Sequence, residues 1–108
     1  MTKGRLVLLR HGTTTAGPHG FLGSRADPSL DAAGRIQAEL LAQRLQKCRI
    51  VGAVVSPMRR ARETADLAVP WLSVRIDERV QEIDYGMFSG STVVEVEGRY
   101  PRELQAWR

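Results

Sequence analysis

An apolar run near the amino terminus ends abruptly in a basic tripeptide, and this junction most constrains what the chain can fold into. Residues 6–9 have the length and aliphatic character of a buried strand. Arg10, His11 and Gly12 follow them directly. Ligands of open parallel sheets bind just beyond the carboxyl ends of strands, and glycine lets a ligand approach the backbone closely. The junction therefore predicts either an anion site or merely a strand that ends in a polar turn.

Predicted strands and helices alternate along the rest of the chain. We predict strands at residues 50–55 and 74–76, and helices at residues 32–47, after an Asp31 N-cap, and at residues 58–69. A last helical stretch begins at a capping box and is broken by a proline, at Thr92 and Pro101 respectively. This alternation predicts an α/β fold with a parallel sheet, and 108 residues allow one domain.

The composition limits the partners that we expect. A net charge of +4 raises the question of nucleic-acid binding, but two Trp, two Tyr and two Phe are too few and too scattered to form a stacking platform. Arginines also alternate with glutamates in most segments. No stretch is long enough to span a membrane, no signal peptide is apparent, and the single Cys48 allows no internal disulfide. We therefore expect a cytoplasmic protein that binds neither nucleic acid nor membrane.

Charged side chains also follow the second and third predicted strands. The first turn of the helix after the second strand carries Arg59, Arg60 and Arg62, although the helix dipole disfavours cations there. A bound anion would explain one of these arginines, while a solvated basic face must explain at least one other. A loop carboxylate, either Glu82 or Asp84, follows the third strand.

Together these groups suit phosphoryl transfer through a covalent histidine intermediate. The guanidinium groups of Arg10 and of an arginine after the second strand would hold a phosphoryl group, and a neutral His11 imidazole would attack the phosphorus. The loop carboxylic acid would protonate the departing oxygen and later deprotonate the incoming water. We expect no metal and no cofactor, because the chemistry requires none and the sequence has no metal-ligand spacing.

Three motifs in order resemble the histidine phosphatase superfamily, in its phosphoglycerate mutase-like branch. They are LLRHG at residues 8–12 with Thr14, SPMRRARETA at residues 56–65, and EIDYG at residues 82–86 followed by FSG at residues 88–90. The resemblance implies that His11 is the phosphorylated nucleophile and that Glu82 is the proton donor. It also implies that Arg10 and Arg60 bind phosphate, and the hydroxyl of Thr14 is a candidate donor to the same anion.

The resemblance also implies a fold, a three-layer α/β/α domain with a mostly parallel sheet that takes up residues 1–108. Members of the family carry a second histidine well downstream, on a strand that inserts between the first and second strands. No histidine follows Glu82 here, and His19 lies in the wrong segment and is expected to be an exposed loop residue. We therefore expect an incomplete domain, truncated before that strand, in which residues 6–9 and 51–55 face each other across a gap.

The residue after Glu82 favours one activity over another. Mutases of the family that bind phosphoglycerates have an arginine there, whereas this chain has Ile83. We predict phosphomonoester hydrolysis of a small phosphorylated metabolite. The alternatives are a truncated, non-catalytic phosphate-binding relative and a phosphoglycerate mutase-type phosphotransferase. The sequence leaves open whether the protein is a homo-oligomer.

Overall fold

A computed structural model describes residues 4–17 and 20–108, so the expectation for His19 lies outside the described residues. The elements alternate as predicted between residues 32 and 76. They are α1 (Ala32–Leu45), β1 (Ala53–Val55), α2 (Arg59–Ala68), β2 (Val74–Ile76), two 3-10 turns at Glu78–Val80 and Gly86–Phe88, α3 (Val93–Arg99) and α4 (Pro101–Trp107).

The two strands form a parallel pair joined by a helix. β1 and β2 pair in register, with Val54 opposite Arg75, and α2 makes the crossover between them. The predicted parallel pairing is therefore confirmed. The first of these strands is shorter than predicted, because only Ala53–Val55 of residues 50–55 pairs with a neighbour.

The predicted strand at residues 6–9 is not a strand in this structure. Its apolar side chains are exposed, with Leu6 at 85% and Leu8 at 84% of their full accessibility. A strand is defined by pairing, and no segment in the described ranges pairs with these residues. Residues 6–9 and 51–55 instead line the same open cleft, as expected for two segments that face each other across a gap.

Local capping signals explain where three of the helices begin. The Asp31 carboxylate accepts a hydrogen bond from the Gly34 amide at 2.7 Å at the start of α1. The Thr92 hydroxyl accepts one from the Glu95 amide at 3.1 Å at the start of α3. Pro101 is the first residue of α4, where its missing N–H costs nothing. The predicted N-cap, helix start at Thr92 and proline break are confirmed, but the Glu95 carboxylate accepts from the Thr92 hydroxyl and not from its amide, so the capping box is only half formed.

Two apolar clusters hold these elements together. The first, formed by Leu45, Ala68 and Val69, joins α1 to α2. The second, formed by Phe21, Phe88, Val96 and Leu104, joins the loop after the amino-terminal segment to α3 and α4. In the part of the chain that the structure describes, none of the helices is long and apolar enough to cross a membrane.

Candidate active site

One cleft of about 1350 Å³ brings four of the predicted site residues together. Arg10 and His11 reach it from the segment after residues 6–9, Arg60 from the first turn of α2, and Glu82 from the loop after β2. Arg10 is exposed, whereas the His11 ring is half-buried. The cleft thus contains two guanidinium groups, an imidazole and a carboxylate.

The backbone fixes which ring nitrogen of His11 carries the proton. The Nδ1 atom lies 2.7 Å from the carbonyl oxygen of Gly12. A carbonyl oxygen can only accept, so Nδ1 must donate to it, and in the neutral ring the lone pair is then on Nε2. This tautomer gives Nε2, and not Nδ1, the free lone pair that a nucleophilic histidine needs.

The loop that carries His11 is fixed to the start of α1. The Thr13 amide donates to Gln37 Oε1 at 3.0 Å, and the Thr13 hydroxyl donates to Asp31 Oδ1 at 2.6 Å. The pKa of Asp31 lies below its usual value. The hydrogen bond from the Thr13 hydroxyl is the largest cause, and the hydrogen bond from the Gly34 amide is the next. The loop is therefore held by the same carboxylate that caps the helix.

A threonine of α2 connects the His11 loop to Arg60. The Thr64 hydroxyl accepts a hydrogen bond from the Gly12 amide at 3.1 Å and donates one to the Arg60 carbonyl oxygen at 2.7 Å. The Thr64 side chain is buried, at 6% exposure. One hydroxyl thus links the backbone beside the predicted nucleophile to the backbone of the predicted phosphate-binding arginine.

The Arg60 side chain is buried, at 2% exposure, and its guanidinium is hydrogen-bonded to three acceptors. Nη1 donates to the Ala26 carbonyl oxygen at 3.0 Å, and Nη2 donates to the Gly23 carbonyl oxygen at 2.8 Å. Nη2 also donates to Glu82 Oε2 at 2.9 Å. A buried charge needs such partners, so these contacts account for the position of Arg60 inside the protein.

The other arginines of this turn have separate explanations. Arg59 forms an ion pair with Glu63 at 3.6 Å, and Arg62 is exposed to solvent. The negative charge at the start of α2 is Asp27, whose Oδ1 accepts a hydrogen bond from the Arg59 amide at 2.7 Å. Asp27 was not singled out from the sequence, because this cap comes from a residue 32 positions away.

Only one of the two loop carboxylates left open by the sequence lines the cleft. Glu82 lines it, whereas Asp84 accepts hydrogen bonds from Arg25 Nε and the Gly86 amide, both at 2.8 Å. The Gly86 amide and then Arg25 hold the pKa of Asp84 below its usual value. Asp84 therefore shapes the loop, and Glu82 is the carboxylate available to the cleft.

The structure differs from the predicted site at two residues, Thr14 and Tyr85. Thr14 does not line the cleft; it is buried, and its backbone pairs with Leu30. Its phosphate-binding role stays a prediction. Tyr85 was not singled out, yet its hydroxyl donates to Glu82 Oε1 at 3.1 Å. Its place three residues after Glu82, within the same motif, is the signal that could have found it.

The sequence of this chain also matches a known protein family. The model of the histidine phosphatase superfamily (branch 1) matches residues 6–108. The chain belongs to the histidine phosphatase superfamily. The family predicted from the three motifs is therefore confirmed.

Curated members of the histidine phosphatase superfamily align with nearly all of this chain. Phosphoserine phosphatase 1 of Hydrogenobacter thermophilus is 37% identical over 105 residues, which are 95% of this chain and 50% of that protein. Glucosyl-3-phosphoglycerate phosphatase of Mycobacterium tuberculosis is 35% identical over 106 residues, which are 96% of this chain and 48% of that protein. The chain thus spans about half the length of the curated relatives it matches.

Solved structures of histidine phosphatases share the fold. A mycobacterial glucosyl-3-phosphoglycerate phosphatase superposes with a TM-score of 0.78 at 32% identity, over 90% of this chain and 47% of the other. The α-ribazole phosphatase from Shigella flexneri gives a TM-score of 0.80 at 27% identity, over 92% and 50%. The predicted phosphoglycerate mutase-like α/β fold class is thereby confirmed, whereas the prediction of one domain over residues 1–108 remains a prediction.

Proposed function

We propose that the protein hydrolyses small phosphomonoesters through a phosphohistidine formed on His11. The observation that carries this proposal is the His11 tautomer, since Nδ1 is bound to the Gly12 carbonyl and Nε2 is left to attack. Arg10, Arg60 and Glu82 line the same cleft. Membership in the superfamily, with relatives named as phosphatases, supports the same reaction.

The reaction has two steps that share one acid–base group. In the first, His11 Nε2 bonds to phosphorus, the bond to the ester oxygen breaks, and Glu82 gives its proton to that leaving oxygen. In the second, water attacks the phosphorus, Glu82 takes a proton from that water, and the bond between phosphorus and Nε2 breaks. Inorganic phosphate leaves, and both His11 and Glu82 return to their starting states.

The two arginines would supply the positive charge that the transferred phosphoryl group needs. Arg10 is exposed at the cleft, and its guanidinium is available to a ligand. A guanidinium has five N–H donors, and three of those on Arg60 serve Ala26, Gly23 and Glu82. Among the described residues no acceptor is bound to its Nε–H or to its second Nη1–H, and these two would bind a phosphoryl oxygen. The proposal uses no metal, because these guanidinium groups supply the charge.

The substrate class follows from the relatives and from one residue of the loop. Relatives named for phosphoserine and for glucosyl-3-phosphoglycerate suggest a small phosphorylated metabolite. Ile83, which is 60% exposed, places no positive charge beside Glu82, and this supports hydrolysis over transfer between phosphoglycerates. A cytoplasmic location is part of the same proposal.

Trapping the phosphorylated enzyme tests the mechanism. After brief exposure to a phosphorus-labelled aryl phosphate and rapid quenching, we expect label that is stable in base, labile in acid and located on His11. His11→Ala should lose the label, whereas His19→Ala, which removes the other histidine, should keep it. Binding of phosphate without any label would instead support a non-catalytic phosphate-binding protein. Transfer of the label to a second metabolite without phosphate release would support a mutase-type enzyme.

The proton donor is tested by the leaving group of the substrate. Glu82→Gln should slow hydrolysis of an alkyl phosphate by about 100-fold or more, because a positioned general acid contributes roughly 10²–10⁴-fold. The same variant should slow an activated aryl phosphate far less, since that leaving group needs little protonation. Equal losses on both substrates would remove Glu82 from the role of acid.

A further inference from the structure

The Glu82 carboxylate is held at both of its oxygens. Arg60 Nη2 donates to Oε2 at 2.9 Å, and the Tyr85 hydroxyl donates to Oε1 at 3.1 Å. The side chain is nevertheless 41% exposed and lines the cleft. A carboxylate at such an exposed position would otherwise sample several rotamers, so these two contacts fix its direction.

The ring of Tyr85 is itself fixed by aromatic neighbours. It packs edge to face against Phe21, with ring centroids 5.1 Å apart, and against Trp107, with centroids 6.0 Å apart. Tyr85 does not line the cleft. Its hydroxyl therefore reaches Glu82 from the aromatic cluster, and it acts on the cleft only through that carboxylate.

The two partners of Glu82 differ in one chemical respect. A guanidinium can only donate, so a proton on Oε2 would weaken the contact with Arg60, and protonation of Oε1 is favoured. The proton of the acid form is therefore carried on Oε1, the oxygen that Tyr85 contacts. A protonated Oε1 keeps a lone pair, so the Tyr85 hydroxyl can go on donating to it while the acid proton points to the leaving oxygen. The Tyr85 contact can thus persist in both protonation states.

We infer that Tyr85 is a positioning residue for Glu82, which holds Oε1 at the cleft while the carboxyl group gives and regains its proton. The inference rests on the proposed function, because it acts through the acid–base role of Glu82. The environment of Tyr85 agrees with the contact. Burial, followed by the hydrogen bond and the negative charge of Glu82, raises the pKa of the Tyr85 hydroxyl above 10.0.

The kinetic test compares two tyrosines of the same aromatic cluster. Tyr85→Phe keeps the ring and removes only the hydroxyl. Tyr100→Phe is the matched control, because the Tyr100 ring packs on Phe88 at 6.1 Å and does not line the cleft. We expect Tyr85→Phe to lower kcat for an alkyl phosphate about 10-fold at nearly unchanged KM, since a misplaced catalytic group loses part of its effect. The rate on an activated aryl phosphate should change far less, and Tyr100→Phe should match the parent protein on both.

The pattern of losses separates this inference from the proposed function. A leaving-group-dependent loss in Glu82→Gln but not in Tyr85→Phe would overturn the role of Tyr85 and leave Glu82 as the acid. Equal losses of Tyr85→Phe on both substrates would indicate a merely structural residue and would also overturn the inference. Absence of leaving-group dependence in Glu82→Gln would overturn the proposed acid and this inference with it.

A titration tests the contact without any turnover. The chain has two tyrosines, so in Tyr100→Phe the tyrosinate absorbance reports Tyr85 alone. We expect a midpoint above the ordinary value of 10.0, and adding Glu82→Gln should lower it by removing the negative charge. A midpoint that does not move on this second substitution would show that the two groups are not in contact, and it would overturn the inference.

Discussion

Gly12 and Gly34 lie backbone against backbone, so that a β-carbon on Gly12 would lie 2.5 Å from the carbonyl oxygen of Gly34. A β-carbon on Gly34 would in turn overlap the carbonyl oxygen of Thr13. The His11 loop can therefore rest on α1 only where neither position has a side chain. This close approach, together with the hydrogen bonds of Thr13, sets where the imidazole enters the cleft.

Gly34→Ala should destabilise the protein and displace the His11 loop. Helix propensity alone would favour alanine by about 1 kcal/mol, but forcing backbone atoms apart costs about 1–3 kcal/mol, so the steric term wins. Gly98→Ala in α3 is the control, because an added β-carbon there meets no atom within 4 Å. Urea unfolding should show a loss of stability for the first variant and a small gain for the second. A stabilised Gly34→Ala would contradict the close packing.

Arg60→Lys should unfold far more easily than Arg62→Lys, although the two arginines share one helical turn. A lysine cannot reach the Gly23 and Ala26 carbonyls and Glu82 together, and each buried acceptor left without a donor costs about 1–3 kcal/mol. We expect Arg60→Lys to lose about 2–4 kcal/mol of unfolding free energy. The exposed Arg62→Lys should change it by less than about 0.5 kcal/mol. Equal effects in urea titrations would mean that Arg60 is not buried in solution.

Rates of amide hydrogen exchange should differ sharply between residues 6–9 and α2. Within the described part of the chain, the amides of residues 6–9 have no backbone acceptor, whereas those of α2 are hydrogen-bonded along the helix. We expect residues 6–9 to exchange at nearly the unfolded rate and α2 to be strongly protected. The measurement should be made on a verified monomer at low concentration. Strong protection of residues 6–9 there would mean that this segment pairs within its own chain.

Lowering the pH should destabilise the folded protein, in part by protonating Asp77. The Arg79 side chain, followed by the Arg79 amide, lowers the pKa of Asp77 from 3.8 to about 2. A carboxylate whose pKa falls on folding stabilises the folded state above its unfolded pKa, and that contribution is lost as the pH falls through the folded pKa. The difference in Tm between the parent protein and Asp77→Asn should therefore shrink between about pH 4 and pH 2. The exposed Asp66→Asn is the control, and a difference for Asp77→Asn that stays constant with pH would contradict this role.

Sequence reasoning predicted which charged residues lie around one cleft better than it predicted the sheet. Arg10, His11, Arg60 and Glu82 each follow a predicted strand, and the parallel order of such strands brings their ends to one side. Whether residues 6–9 form a strand could not be predicted in the same way. Their aliphatic run indicates burial, but a strand also needs a partner, and a local pattern does not report whether one is present.

Sequence reasoning missed Asp27 and Tyr85. The contact of the first spans a long separation in sequence, and the contact of the second depends on the direction of its side chain. Asp27 caps α2 from 32 positions away, which no spacing rule for helix starts would find. Tyr85 was seen only as part of a motif, because its contact with Glu82 depends on where its ring packs. The choice of Arg60 over its neighbours came from family resemblance, and its three acceptors supply the physical reason.

The Thr64 hydroxyl that joins the Gly12 amide to the Arg60 carbonyl also bears on the order in which the protein folds. The Gly12–Thr64 contact spans 52 residues, and closing a loop of that length costs entropy before any contact is gained. Both helices can form from short-range contacts, but the His11 loop can reach its final position only after α2 has docked on α1. We therefore expect the imidazole to be among the last groups to find its place during refolding.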